Sequence, residues 1–194
     1  MGIEFELKYR ATPAIISALR EAVPGKEQHL QMHTTYYDTP TGAFSARYCT
    51  LRCRQENDIH ICTLKTPAGG LGRREWEVEC NCIEDAIEEL CKLDGPGEIL
   101  SLAQEGLIPV CGARFTRIAK SVELEDCVVE LALDEGVLTG GQRQATLCEA
   151  EVELKKGDPA ACVAFANRLA QAYGLVPEER SKFRRALALY RGEE

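Results

Sequence analysis

Two short segments from opposite ends of the chain each place all their charges on one strand face. In the first, Ile3, Phe5 and Leu7 alternate with Glu4, Glu6 and Lys8; in the second, Ala150, Val152 and Leu154 alternate with Glu149, Glu151, Glu153 and Lys155. A strict period of two specifies a β-strand with two unlike faces. One such strand with a wet face is ordinary. Two acidic ones impose a cost, because Glu4 and Glu6 on one face stand about 6.7 Å apart. At an effective dielectric near 20 they repel by about 2.5 kcal/mol, before Glu151 and Glu153 are added. An exposed, salty surface screens that penalty, whereas a partly enclosed site calls for a cation.

The rest of the chain supplies the opposite charge. Arg52 and Arg54, Lys65, and Arg117 sit on segments with strand-like alternation, and Arg73, Glu75 and Glu77 share one face of another. Their opposite faces are apolar and need cover, which helices can provide. Helix signals are Thr12 before Pro13, predicting a helix over 13–22, and Asp158 before Pro159, predicting one over 159–173 ended by Gly174. Periodic segments over 83–93 and 97–106 predict two more helices. Strands are expected near 47–55, over 59–66 and 73–80 around a glycine-rich connection at 67–72, and three times between 114 and 155. Trp76 is the expected packing anchor of its strand. Seven or eight strands without regular crossover helices make an antiparallel α+β protein. Two arrangements satisfy the pattern: an open sheet with its charges in water, or a closed barrel with a charged lumen and helices outside.

Composition narrows the partners. A net charge of −8 over 194 residues argues against non-specific nucleic-acid binding, while leaving room for a local basic pocket. With no linker and no long apolar run, one domain over 1–194 is expected, soluble, without a membrane partner and cytoplasmic. The ten cysteines lie mostly in apolar strand or helix patterns, which suits structural thiols in a reducing compartment better than a zinc or disulfide framework. Carboxylates and cations gathered in one enclosed space suit a polyanion that carries its own divalent cation. Carboxylate oxygens take Mg2+ or Mn2+, and Arg and Lys take the phosphate oxygens that remain.

Seven segments resemble, in order, the motifs of the CYTH domain, or triphosphate tunnel metalloenzyme, superfamily. They are Glu4 to Lys8 (E-x-E-x-K), Tyr36 to Pro40, Leu51 to Arg54, Thr63 to Lys65, Arg73 to Glu77, Leu131 to Asp134, and Glu149 to Leu154, with Ser181 and Lys182 following. The resemblance implies a closed tunnel of eight antiparallel strands. It implies that Glu4, Glu6, Glu151 and Glu153 hold Mg2+ or Mn2+, and that Lys8, Arg52, Arg54, Arg73, Arg117 and Lys182 contact a triphosphate. Glu75, Glu77 and Asp134 are implied as supporting carboxylates, and Glu149 is left outside the ligand set. Lys65 is assigned to phosphate binding or to orienting and deprotonating water, since a lysine crowded by cations gives up its proton more readily. One departure is Ala119, where the family often carries a cation; Lys120 falls on the other strand face. The activity implied is metal-dependent hydrolysis of tripolyphosphate to pyrophosphate and phosphate. Thiamine triphosphatase, adenylate cyclase and a non-catalytic polyphosphate-binding module stay open, as does a homodimer.

Overall fold

The computed structural model describes residues 2–68 and 73–193, with side chains from residue 5 onward. The glycine-rich turn expected as a hairpin connection or lid therefore lies largely outside the described residues. Its flanking strands are hydrogen-bonded antiparallel partners.

The strands are β1 (Gly2–Glu4), β2 (Glu6–Arg10), β3 (Glu27–Asp38), β4 (Thr50–Glu56), β5 (Ile59–Pro67), β6 (Arg73–Glu79), β7 (Ile108–Glu123), β8 (Cys127–Gly140), β9 (Arg143–Gly157) and β10 (Val176–Pro177). All pair antiparallel in one sheet of order β1-β6-β5-β4-β3-β7-β8-β9-β2-β10. The expectation of eight strands differs by two for simple reasons. The N-terminal strand is interrupted at Phe5 into β1 and β2, and β10 is a two-residue pairing against Tyr9 and Arg10. β1 pairs with β6 and β2 with β9, so the two halves of one segment serve opposite ends of the order. The ladder itself runs open from β1 to β10.

Parity sorts the side chains. Even residues of β3, β4 and β8 share a face with odd residues of β5, β6, β7 and β9; this inner face carries the charges. The other face is apolar and covered by helices in two places. α1 (Pro13–Ala22) and α4 (Pro159–Tyr173) pack Ile16, Leu19, Cys162 and Phe165 onto Val129, Leu131, Leu133 and Val152. α2 (Ile83–Lys92) and α3 (Gly97–Leu100) pack Ile83, Leu90 and Leu100 onto Leu51, Cys62, Leu64 and Trp76. Each such side chain contributes roughly 1.5–3 kcal/mol by leaving water. Both proline-started helices have the expected caps: Thr12 accepts from the Ile15 amide and Asp158 from the Ala160 amide.

The last helix corrects the expectation that all helices pack outside. α5 (Lys182–Arg191) lies on the inner face, where Phe183, Ala186 and Leu187 meet Met32, Tyr36, Phe115, Leu138 and Leu147. The reason is that the inner face turns apolar at one end of the sheet, and that end needs cover as the outer face does. No helix among the described residues is long and apolar enough to cross a membrane.

Candidate functional site

The charged part of the inner face encloses a cavity of about 110 Å³. Its wall includes seven cationic side chains: Lys8 from β2, Arg52 and Arg54 from β4, Lys65 and Arg73 from the β5–β6 pair, Arg117 from β7, and Lys182 from α5. Against them stand three carboxylates, Glu6, Glu151 and Glu153. Such an excess of positive charge in an enclosed space favours a polyanion. Of the residues singled out from sequence, Glu75, Glu77 and Asp134 stand behind this wall. The side chain of Glu4 lies outside the described residues; its backbone pairs with Arg73.

Register explains the acidic end. Across β2 and β9, Glu6 lies directly opposite Glu153, and Lys8 opposite Glu151. Like charges placed opposite each other destabilise a ladder unless a cation intervenes. Here Lys8 approaches Glu6 at 3.3 Å and Lys155 approaches Glu153 at 2.7 Å. The Glu6 and Glu153 side chains keep 31% and 26% exposure, so their oxygens can reach a bound ion. Accessible carboxylates from adjacent strands fit a hard divalent cation.

A second carboxylate group lies deeper. Asp134, Glu149 and Glu151 are buried, with oxygens within 4.8 Å of one another, a spacing that could hold a metal ion. A protein cation already stands among them. The Lys182 Nζ is 2.8 Å from Asp134 and 2.8 Å from Glu151, and it also pairs with Glu149. Arg117 adds a bidentate bond to Asp134, at 2.8 and 2.7 Å, and donates to Glu151 at 2.6 Å. Arg185, one turn along α5, pairs with Glu149. Burial pushes Glu151 up, but Lys182, Arg117 and Lys8 outweigh it and hold its carboxyl well below the usual range. Burial pushes Glu149 up as well, and there it prevails, helped by the negative Glu151. Burial likewise works against the Lys182 ammonium, and Asp134, Glu151 and Glu149 reverse it, raising that group.

The remaining cations are braced by acids behind them. Glu75 is 3.1 Å from Lys65 and 3.5 Å from Arg52; Glu77 is 3.7 Å from Arg52 and accepts from the Thr63 hydroxyl at 3.0 Å. Arg54 pairs with Glu56 at the end of its own strand. Arg73 donates to the Tyr48 carbonyl at 2.8 Å, which ties the end of β6 to the turn before β4. Lys65 thus stands beside a carboxylate as well as among cations. Ala119 does face inward without charge, and Lys120 points to the outer face, where it donates to the Val23 carbonyl at the end of α1.

Sequence reasoning missed Arg185 and Glu56 and set Glu149 aside. Lys182 and Arg185 are three apart, the spacing of one helix face, which is the signal that could have found Arg185. Asp38, part of a recognised motif, shapes the backbone that follows β3 by accepting from the amides of Thr39, Phe44 and Ser45 at 2.8, 2.9 and 3.1 Å. Trp76 is core, as expected, and Tyr36 is buried too, packed against Phe183 where it borders the cavity.

Known proteins share both sequence and architecture with this chain. It is 30% identical over 162 residues to the inorganic triphosphatase of Haemophilus influenzae, a match covering 80% of this chain and 46% of that protein, so the chain spans about half the length of that relative. Among solved structures, the Hippeastrum protein HpAC1, described as having a dominant triphosphatase activity, superposes with a TM-score of 0.67 at 18% identity, covering 100% of this chain and 97% of that one. A Pyrococcus horikoshii protein superposes with a TM-score of 0.62 at 24% identity, covering 93% and 96%. At those identities the likeness is one of fold. The CYTH domain model matches residues 2–187, and the chain belongs to the CYTH family.

Proposed function

We propose that this chain is a metal-dependent triphosphatase that hydrolyses inorganic tripolyphosphate to pyrophosphate and phosphate. One observation carries the reading: one cavity opposes seven cations to three carboxylates, of which Glu6 and Glu153 stay partly exposed. Lys8, Arg52, Arg54, Lys65 and Arg73 are assigned to phosphate oxygens, with Arg117 shared between phosphate and its carboxylate partners. The buried Arg54 Nε has no partner among the described residues, as a donor reserved for an anion would. Glu4, Glu6, Glu151 and Glu153 are assigned to the metal. When bound there, Mg2+ or Mn2+ supplies charge neutralisation at the phosphoryl oxygens and a water of lowered pKa. The chain's own residues fix the triphosphate in line and shield it from bulk water. Glu75, Glu77 and Asp134 hold the cations in place. Lys65, paired with Glu75, is assigned phosphate contact in preference to proton transfer.

We further infer that the sheet closes through the N-terminal segment, with Phe5 as the corner between β6 and β9, giving the eight-stranded tunnel of the family within one domain over 1–194. The Haemophilus relative, named an inorganic triphosphatase, and HpAC1, described as a candidate adenylyl cyclase with a dominant triphosphatase activity, support the choice of substrate class. The test is catalytic efficiency on tripolyphosphate, thiamine triphosphate and ATP, using chelated protein and protein resupplied with Mg2+ or Mn2+. Tripolyphosphate is expected to lead, with no turnover in the chelated sample. Efficient formation of cyclic AMP with little phosphate release from tripolyphosphate would overturn the reading.

A further inference from the structure

On the outer face of the sheet, behind the arginines, Cys53 of β4 and Cys62 of β5 are direct ladder partners, flanked by the pairs Arg52 with Thr63 and Arg54 with Ile61. No other two cysteines are ladder partners among the described residues. Both are free thiols. Both sulfurs also gather at one carbonyl, that of Cys80, at 3.3 Å from Cys62 and 3.9 Å from Cys53. Residues directly opposed in an antiparallel ladder have Cα atoms about 4.5–5.5 Å apart, inside the roughly 4.4–6.8 Å span of a disulfide. The register therefore brings the two Cα atoms within disulfide reach.

The two thiols are not equivalent. Cys62 is fully buried beneath α2, whereas Cys53 is half-buried and reachable. The neighbouring Cys62 draws Cys53 down from the usual thiol range, while Cys53 and burial push Cys62 up. A partly exposed thiol next to an enclosed one is the arrangement of an attacking and a resolving cysteine.

We propose that Cys53 and Cys62 form a peroxide-oxidisable dithiol on the back of the anion-binding strands. Hydrogen peroxide oxidises the Cys53 thiolate to a sulfenic acid as the O–O bond breaks and hydroxide leaves. The Cys62 sulfur then attacks the Cys53 sulfur, the S–O bond breaks, and the hydroxyl departs with the Cys62 proton as water. Two thiols become one disulfide, and one peroxide becomes two waters. The product pins β4 to β5 between Arg52 and Arg54.

Because the readout is covalent, it stands apart from any catalytic assignment. The full chain treated with hydrogen peroxide should lose two free thiols and about 2 Da, both restored by dithiothreitol. A non-reduced tryptic map should join fragment 53–54 to fragment 55–65. Cys62→Ala should stop at a Cys53 sulfenic acid that dimedone traps, and Cys53→Ala should leave Cys62 reduced. Disulfides between other cysteines, retention of both thiols, or sulfinic acid on Cys53 beside an intact Cys62 thiol would each overturn the proposal. Should Cys62→Ala fail to fold, the native peptide map and Cys53→Ala decide it.

Discussion

Glu153 and Glu149 lie four residues apart on the same face of β9, yet their surroundings are opposite. Glu153 faces Glu6 across the ladder, stays partly exposed and leans on a lysine of its own strand. Glu149 is buried with Asp134, and the two share the ammonium of Lys182. Glu151, between them, belongs to both groups. The difference teaches that an acidic strand is not uniformly a metal site. Where α5 reaches the inner face, one ammonium is shared by buried carboxylates; beyond that reach, Glu6 and Glu153 lean on lysines of their own strands and stay partly exposed.

Removing the internal cation is the strongest way to break this contrast. Lys182→Ala leaves three buried carboxylates short of their shared partner and should cost about 3–5 kcal/mol in denaturant unfolding of chelated protein. Divalent metal should restore part of the loss by entering the vacated position. A Lys182→Ala variant as stable as the parent without metal would show that the cage is not held by that ammonium.

At the open end, the effect should move from stability to catalysis. Glu153→Gln is expected to lower turnover of tripolyphosphate by at least about 10²-fold. Its stability should change by no more than about 0.5 kcal/mol, because a like-charge opposition with Glu6 is relieved as a ligand is lost. Substrate binding should persist, since the cations are untouched. Full turnover in this variant would remove Glu153 from the metal set.

The subtlest comparison is the pH dependence of stability in chelated protein, where neighbours should act with opposite sign. Glu151 is held below its ordinary value of 4.5, so its contribution is present above that pH and is lost as pH falls through its depressed folded value. Glu149 is raised above 4.5, so its contribution is present below that pH and is lost as pH rises through its elevated folded value. Relative to the parent, Glu151→Gln should therefore lose most at neutral pH, while Glu149→Gln should lose least there and more in acid. Stability curves from pH 3 to 7 for the two variants should diverge; parallel curves would refute the division between them.

Much of this was legible along the chain because strand parity is local. The alternation at 6–8 and 149–155 marks which side chains share the inner face, and proline after Thr12 and Asp158 marks two helix starts. What sequence left open depends on register and on distant packing. That Glu75 meets Lys65 follows from the β5–β6 pairing, whose offset cannot be read from either strand alone. The inward position of α5 was hidden because Phe183, Ala186 and Leu187 have helical spacing that suits either face of a sheet. Without α5 on the inner face, the sharing of Lys182 by Asp134, Glu149 and Glu151 has no signal in the sequence. The ends of the sheet were equally opaque, since nothing in Phe5 itself announces a change of partner.

That change of partner bears on the order in which the molecule assembles. β2 finds β9 only after almost the whole chain has been brought back on itself, the most costly kind of loop closure, while the hairpins from β3 to β6 and from β7 to β9 form between near neighbours. Glu6 and Glu153 therefore meet late. A folding chain would gather its arginines before it could gather its open carboxylates, and divalent metal should slow unfolding more than it speeds folding.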